Sequence, residues 1–314
     1  MILKINLSIY LPLLCSVILI SSCSAVSQHA EPGVVTKSLV AESLATKSID
    51  KIDTTAFADV VSITASLSRQ YGADKVLIVM DIDNTILSST NDIGSDVWYQ
   101  WQTGKLEVKP TSSQKVTCLF EDSIGLLYEL SPMKLAEKNL NQTISNWQKS
   151  GHTVMALTSR APQYRAATER ELIRNKVNFT SSALVPIGQD TMMFREIKGR
   201  ELSYMQGVMM TSGMNKGEML QYLLDKTHRK FAAIVFVDDS KKNIDNVYEA
   251  YQNLKNVDMR IFHYTRIEDE REKQFGQVLT QGQADNMAEQ WKQLNRTLHH
   301  IFPARNLDQG CLTL

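Results

Sequence analysis

The chain has 314 residues, with 34 basic and 34 acidic side chains, and 43% of it is hydrophobic. That supports a sizeable core, in one large domain or two small ones. The neutral balance gives no electrostatic case for nucleic acid, and no Lys/Arg cluster is interleaved with aromatic residues.

The N-terminus reads as an export signal. Lys4 and the amino terminus make a short basic region, and an apolar run over 5–20 follows, broken by Asn6, Ser8 and Ser16. Small residues then occur at Ser21, Ser22, Cys23, Ser24 and Ala25. The run is short for a membrane span, which needs ~20 apolar residues. Ile20-Ser21-Ser22-Cys23 resembles a bacterial lipobox. On that reading 1–22 is a signal peptide, and Cys23 is the lipid-bearing first residue of a protein anchored to a membrane and facing the periplasm or cell exterior. Buried acyl chains contribute ~0.8 kcal/mol per CH₂, so several anchor stably where one does not. The alternative is cleavage after Ala25 and soluble export. Residues 23–52, rich in small and polar side chains and without an aromatic residue, read as a flexible tether. Cys15 falls in the signal. Cys118 and Cys311 remain in the mature chain, either as a disulfide or as two free thiols. No Cys/His spacing suggests zinc.

From Asp53 the pattern changes. Phe57, Val60, Val61, Ile63, Ala65 and Leu67 predict a helix capped by Asp53 or Thr54 and ending near Gly72. The continuous apolar run 76–80 predicts a strand buried on both faces, as in a parallel sheet. Further strands are expected at 153–157 (TVMAL), 183–187 (ALVPI, at an edge because of Pro186), 231–237 (FAAIVFV) and 259–264 (MRIFHY). Helical patterns lie at about 134–149, 162–175, 216–228 and 241–255. Alternating strands and helices imply an α/β domain over 53–314 with a largely parallel sheet.

In such sheets ligands sit beyond the carboxyl ends of the strands. The first strand runs directly into Asp81 and Asp83. A spacing of two puts both side chains on one side while the extended geometry lasts. Two close carboxylates repel, and a divalent cation relieves the cost. The run 153–157 ends in Thr158, Ser159 and Arg160, and 231–237 ends in Asp238, Asp239 and Ser240. Asn215-Lys216-Gly217 opens a helix between them.

These four places, in this order, resemble the haloacid dehalogenase superfamily of phosphatases. Asp81-Ile82-Asp83-Asn84-Thr85 is similar to its DxDxT motif, Thr158 to the second motif, Lys216 to the third, and Asp238-Asp239-Ser240 with Lys241-Lys242-Asn243 to the acidic fourth. The likeness covers about 74–265. It implies a Rossmann-like three-layer sandwich with a mostly parallel sheet and a small cap inserted after the first core strand, at about 88–132. It implies phosphomonoester hydrolysis with Mg²⁺ on a small-molecule phosphate. Asp81 would be the nucleophile and form an aspartyl-phosphate. Asp83 would be the general acid and then the base. Thr158 would hydrogen-bond a phosphoryl oxygen, and Lys216 would offset negative charge. Asp81, the backbone carbonyl of Asp83, and Asp239 would hold Mg²⁺, with Asp238 bound directly or through water. Lys198 and Arg200 compete for the role of Lys216. Arg160 either binds substrate or pairs with a core acid. A dehalogenase or phosphotransferase, or a surface-exposed binding protein without turnover, is the alternative. The class C acid phosphatases share the anchor and DxDxT. This chain departs from them in having DDSKKN at the fourth motif and Asn84 where Glu is usual, which suggests a separate bacterial branch.

The expected cap holds Trp98, Tyr99, Trp101 and Phe120, which form either its own small core or a stacking surface for a ring. Residues 188–213 carry Met192, Met193, Met205, Met209 and Met210, expected as core in a sheet extension or hairpin that leads to Lys216. Met287, Trp291, Leu294, Leu298 and Ile301 predict an amphipathic helix packed on the core, stopped at Pro303.

Overall fold

The computed structural model describes residues 47–254, 256–305 and 310–311. The export signal, Cys23 and most of the expected tether lie outside the described residues. The strands, in chain order, are β1 (Ile49–Thr54), β2 (Val76–Met80), β3 (Leu87–Ser89), β4 (Met133–Leu135), β5 (Thr153–Thr158), β6 (Phe194–Lys198), β7 (Arg200–Met205), β8 (Val208–Met210), β9 (Ala233–Asp238) and β10 (Asp258–Tyr264). The helices are α1 (Phe57–Tyr71), α2 (Asp96–Gln102), α3 (Ile124–Leu130), α4 (Leu140–Lys149), α5 (Arg165–Arg174), α6 (Lys216–Thr227), α7 (Lys241–Tyr251), α8 (Arg266–Phe275) and α9 (Gln281–Ile301).

Eight strands form one sheet in the order β1-β10-β9-β2-β5-β8-β7-β6. The pairings from β1 across to β8 are parallel, and those of β8 with β7 and β7 with β6 are antiparallel. The central strand β2 is buried throughout. Its side chains alternate between two cores. Val76, Ile78 and Met80 pack with Phe57, Leu140, Ile144 and Leu172 from α1, α4 and α5. Leu77 and Val79 pack with Leu220, Leu223, Ile244 and Val247 from α6 and α7. This is the α/β domain with a largely parallel sheet expected from the continuous apolar runs, with helices on both faces as the resemblance implied.

Four expectations are corrected. Residues 49–52 are strand, not tether. The strand β1 pairs with β10 from Ile49↔Met259 to Thr54↔Tyr264. Only Ile49 and Ile52 in it are apolar, so the sheet edge leaves little hydrophobic signal. Thr54 therefore ends a strand rather than capping α1, whose N-cap is Ala56. Residues 183–187 are not a strand, and β8 pairs with β5 instead. The backbone oxygens of Leu184 and Val185 accept from Tyr204 Oη (2.9 Å) and Arg229 Nη1 (3.2 Å), so side chains replace the ladder there. The helix expected from 134 starts at Leu140. Residues Met133–Leu135 instead pair with β3, and Asn139 sits at φ 65° between them.

The C-terminal helix packs on a core as expected, and that core is the one of the insert. Met287 and Ala284 of α9 pack against Trp98, Trp101, Ile124 and Leu127, which belong to the insert between β3 and β4. Ala284 and Met287 of α9 are buried in the same cluster as the two tryptophans, so α9 completes the core of the insert. Cys118 and Cys311 form a disulfide, with Cα atoms 5.3 Å apart, and Arg305 pairs with Asp122 beside it. The described end of the chain is thus tied to the insert. Met209 and Met210 are fully buried as expected, whereas Met193 is exposed.

One glycine sets how closely two helices approach beneath the carboxyl edge of the sheet. A Cβ on Gly217 would lie 2.5 Å from the Asn246 carbonyl oxygen and 2.7 Å from Ala250 Cβ, so α6 approaches α7 only through a bare backbone. Gly282 in α9 has open space around it. We expect Gly217→Ala to lower stability by ~1–3 kcal/mol through overpacking. Gly282→Ala should raise it by ~0.5–1 kcal/mol through helix propensity. Urea unfolding of the two variants beside the wild type checks the opposite signs.

Candidate active site

Four chain segments meet at the carboxyl edge of the sheet. Asp81 follows β2, and its amide donates to the Val237 carbonyl oxygen (2.9 Å). Asp238 ends β9, the strand beside β2, with Met80 opposite Val237. The sheet order therefore places two acids side by side that are far apart in sequence. Asp239 comes next in the chain. One oxygen from each of Asp81, Asp238 and Asp239 lies within 4.8 Å of the others.

Lys216 enters this cluster from the first turn of α6. Asn215 caps that helix, accepting from the amides of Gly217 (2.9 Å) and Glu218 (3.2 Å). The Lys216 side chain is completely buried, and Nζ lies 2.7 Å from Asp81 Oδ1 and 2.6 Å from Asp238 Oδ2. The close contact of α6 with α7 at Gly217 fixes the depth from which it reaches. Lys198, its competitor in the sequence, instead lies 4.6 Å from the Tyr222 ring centre. Arg200 donates to the Ser212 carbonyl oxygen (3.0 Å).

The two adjacent acids have different surroundings. Asp238 Oδ2 accepts from Lys216, and Oδ1 accepts from the Ser240 amide and Asn243 Nδ2, both at 2.9 Å. The Asp239 carboxylate accepts no hydrogen bond among the described residues; only its backbone oxygen is met, by His263 Nε2 at 3.1 Å. Asp239 is thus the carboxylate with oxygens to spare.

Charge in the cluster does not balance. Three carboxylates against one ammonium leave two negative charges without a partner. Burial pushes the Asp81 carboxyl up to about 7 against the pull of Lys216, and Asp238 and Asp83 add to the rise. Asp239 is also raised well above the usual range, by burial first and then by Asp96 and Asp81. Burial alone would lower Lys216, but Asp238 and Asp81 leave it above the ordinary lysine value. A divalent cation would cancel the excess. The donors are all oxygens, and Asp239 is unengaged, so the residues fit such an ion.

Asp83 differs from expectation. The strand stops at Met80, and the chain turns, with the amides of Ile86 and Leu87 donating to the Ile82 carbonyl oxygen and Asn84 at φ 53°. The extended geometry does not last long enough to aim both side chains at one point. The Asp83 carboxylate is therefore not among the three that converge. Its Oδ2 and Oδ1 accept from Arg160 Nε (2.8 Å) and Nη2 (2.7 Å). Of the two readings open for Arg160, pairing with an acid is the one found. Thr158 ends β5, nearly fully buried, with Oγ1 accepting from the Arg160 amide (3.2 Å) and lining the same cavity as Asp81.

That cavity measures about 1550 Å³. Besides the acids it is lined by Tyr99, Phe120 and Tyr128 of the insert, and by Asp96, which is not among the site residues expected from sequence. Of the four aromatic residues expected in the insert, Trp98 and Trp101 form its core, while Tyr99 and Phe120 face the cavity. Asp96 opens α2. Burial pushes it up to about 6, a hydrogen bond from Gln100 opposes this, and Asp83 adds to it. No periodicity or spacing links Asp96 to the strand-end acids; only the folding back of the insert brings it near.

Residues 53–303 match the model of a family described as "Protein of unknown function (DUF2608)". The chain belongs to this family. None of the curated proteins matches it. Among solved structures, the class C acid phosphatase from Bacillus anthracis is similar to this member at a TM-score of 0.36 and 12% identity, covering 75% of this chain and 89% of that one.

The raised carboxyls set a pH dependence. An acid whose folded value exceeds its unfolded one binds its proton more tightly when folded. For Asp81 that contribution is fully present below 3.8 and is lost as pH rises through about 7. With chelator present, we expect Tm to fall from about pH 5 to about pH 8, and to fall less in Asp81→Asn. Excess Mg²⁺ should flatten the wild-type slope. Differential scanning fluorimetry across this range checks it; equal slopes in all three samples would contradict the charge excess.

Proposed function

We propose that this protein is a Mg²⁺-dependent phosphatase of the haloacid dehalogenase superfamily, hydrolysing phosphomonoesters through an aspartyl-phosphate on Asp81. One observation carries the reading. Asp81, Asp238 and Asp239 converge around a buried Lys216 at the carboxyl edge of a parallel sheet, at the foot of a cavity.

Asp81 and Asp239 would hold the cation, with Asp238 behind them, oriented by Ser240 and Asn243. The ion would supply positive charge to the phosphoryl oxygens and remove the repulsion between the acids. Every other part belongs to the chain. The Asp81 oxygen that Lys216 does not hold attacks phosphorus in line with the ester oxygen. Lys216 keeps Asp81 fixed and balances charge that builds on the phosphoryl group. Thr158, whose Oγ1 accepts from Arg160, has a hydroxyl proton to give to a phosphoryl oxygen. The Asp83–Arg160 pair holds the turn after Asp81 against α5, because Arg160 Nη1 also donates to Thr168 Oγ1 (3.0 Å). This positions the turn that carries Asp81 and Asp83, and Asp83, which lines the same cavity, would act as the general acid and then the base.

A chain lacking its first 46 residues should hydrolyse p-nitrophenyl phosphate with added Mg²⁺ and lose activity with chelator. Asp81→Asn should lower kcat by at least ~10³-fold, as removal of a nucleophile does. Activity that survives Asp81→Asn would contradict the assignment. Absence of turnover across a broad phosphomonoester panel, with Mg²⁺ still bound, would favour a binding protein.

A further inference from the structure

A disulfide joins the cavity wall to the far end of the described chain. We propose that the Cys118–Cys311 bond sets how tightly the cavity binds the organic part of its substrate, by holding the Phe120 ring on the wall, and that a dithiol reductant weakens this binding while the groups around Asp81 stay in place; the inference rests on the phosphatase reading.

Phe120 is an unusual residue of the insert. It is 53% exposed and lines the cavity that holds Asp81. Its ring meets Tyr99 edge-on, with centres 6.2 Å apart. A large apolar side chain left open to water gains nothing for folding, and a second flat ring laid against it would bury that surface. The favoured substrates are therefore phosphate esters whose alcohol carries a ring.

The main chain under this ring is held from three directions. The Phe120 carbonyl oxygen accepts from Tyr164 Oη (2.7 Å) and Gln163 Nε2 (3.3 Å). Asp122, two residues on, pairs with Arg305. Cys118, two residues back, is bonded to Cys311 across 193 residues of sequence. Cys118 sits at φ 58°, a conformation that residues other than glycine rarely hold and that persists only where the surroundings impose it. The turn that follows is also uncommon, since the Ser123 amide, five residues on, donates to the Cys118 carbonyl oxygen (3.0 Å). The disulfide is the covalent member of these ties and acts at the strained residue itself. The core of the insert, with Trp98, Trp101 and Met287, needs no such bond to stay packed.

Cys118 is buried and Cys311 is half-buried, so attack comes at the Cys311 sulfur. A thiolate of the reductant bonds to it as the bond between the two cysteine sulfurs breaks. The electron pair of that bond stays on Cys118, which takes a proton. The second thiol of the reductant, as its thiolate, closes on the first, forming a cyclic disulfide and releasing Cys311, which takes the second proton. Two electrons pass from the reductant to the protein. Cys118 can then leave its left-handed conformation, and the segment carrying Phe120 moves with it.

Two esters test this in the full chain with added Mg²⁺. Ethyl phosphate and 2-phenylethyl phosphate both release primary alcohols, and they differ in the ring. After dithiothreitol, with two more thiols titrating than before, KM for 2-phenylethyl phosphate should rise about 3–10-fold while its kcat stays within about twofold. The phenylethyl-to-ethyl ratio of kcat/KM should fall by the same factor and recover on reoxidation. The double variant Cys118→Ser, Cys311→Ser should show the lowered ratio before any reductant is added, which decides the matter if the wild-type bond resists reduction. Phe120→Ala should lower the ratio as well, and dithiothreitol should lower it no further. A wild-type ratio in the reduced protein or the double variant, equal losses on both esters, or a wild-type ratio in Phe120→Ala would each overturn the inference. A wild type inert on both esters would instead overturn the phosphatase reading, and this inference with it.

Discussion

An ammonium group sealed from water between two strand-end carboxylates organises this molecule. Burying a charge costs several kcal/mol unless partners compensate it, and removing one partner of a buried pair typically costs ~3–5 kcal/mol. Lys216 meets that requirement with Asp81 and Asp238, both within 2.7 Å. The arrangement compensates the lysine but not the acids. Asp239 adds a carboxylate that nothing among the described residues neutralises. Folding alone does not call for this excess, and such local conflict is what functional sites carry.

The surrounding architecture supports that point. Parallel pairing of β2 with β9 brings Asp81 beside Asp238. The missing Cβ of Gly217 lets α6 settle close to α7 and delivers Lys216 at the right depth. Arg160, gripping Asp83, holds the turn after Asp81. Above these, the insert leans on α9 for its core and on a disulfide to the chain's far end. The insert brings Tyr99, Phe120 and Asp96 to the cavity, so contacts made well away from the acids position part of its wall.

Much of the sheet was legible because buried parallel strands are continuous apolar runs, as in 76–80 and 233–237. The convergence of Asp81, Lys216, Asp238 and Asp239 followed from strand ends and a helix start, which mark themselves in sequence. What escaped has physical reasons. β1 is an edge strand with polar alternation and shows little hydrophobicity. Residues 183–187 look like a strand, but their carbonyls are met by Tyr204 and Arg229, contacts that no local pattern announces. Asp83 shares a motif with Asp81, yet a turn at Ile82 sends its side chain to Arg160. Asp96 sits in an insert without strong periodicity, and its placement depends on tertiary folding alone. The separation of Asp238 from Asp239 was open in the sequence; three donors to one carboxylate and none to the other distinguish them.

The central claim is that the two unbalanced charges exist to bind one divalent ion through Asp239 and Asp81. Isothermal titration of Mg²⁺ into chelator-stripped protein tests it most directly. The account predicts saturable binding at a single site, weakened at least ~10-fold by Asp239→Asn, since even outer partners of a metal site cost that much. No binding in the wild type, or equal binding in both proteins, would contradict it.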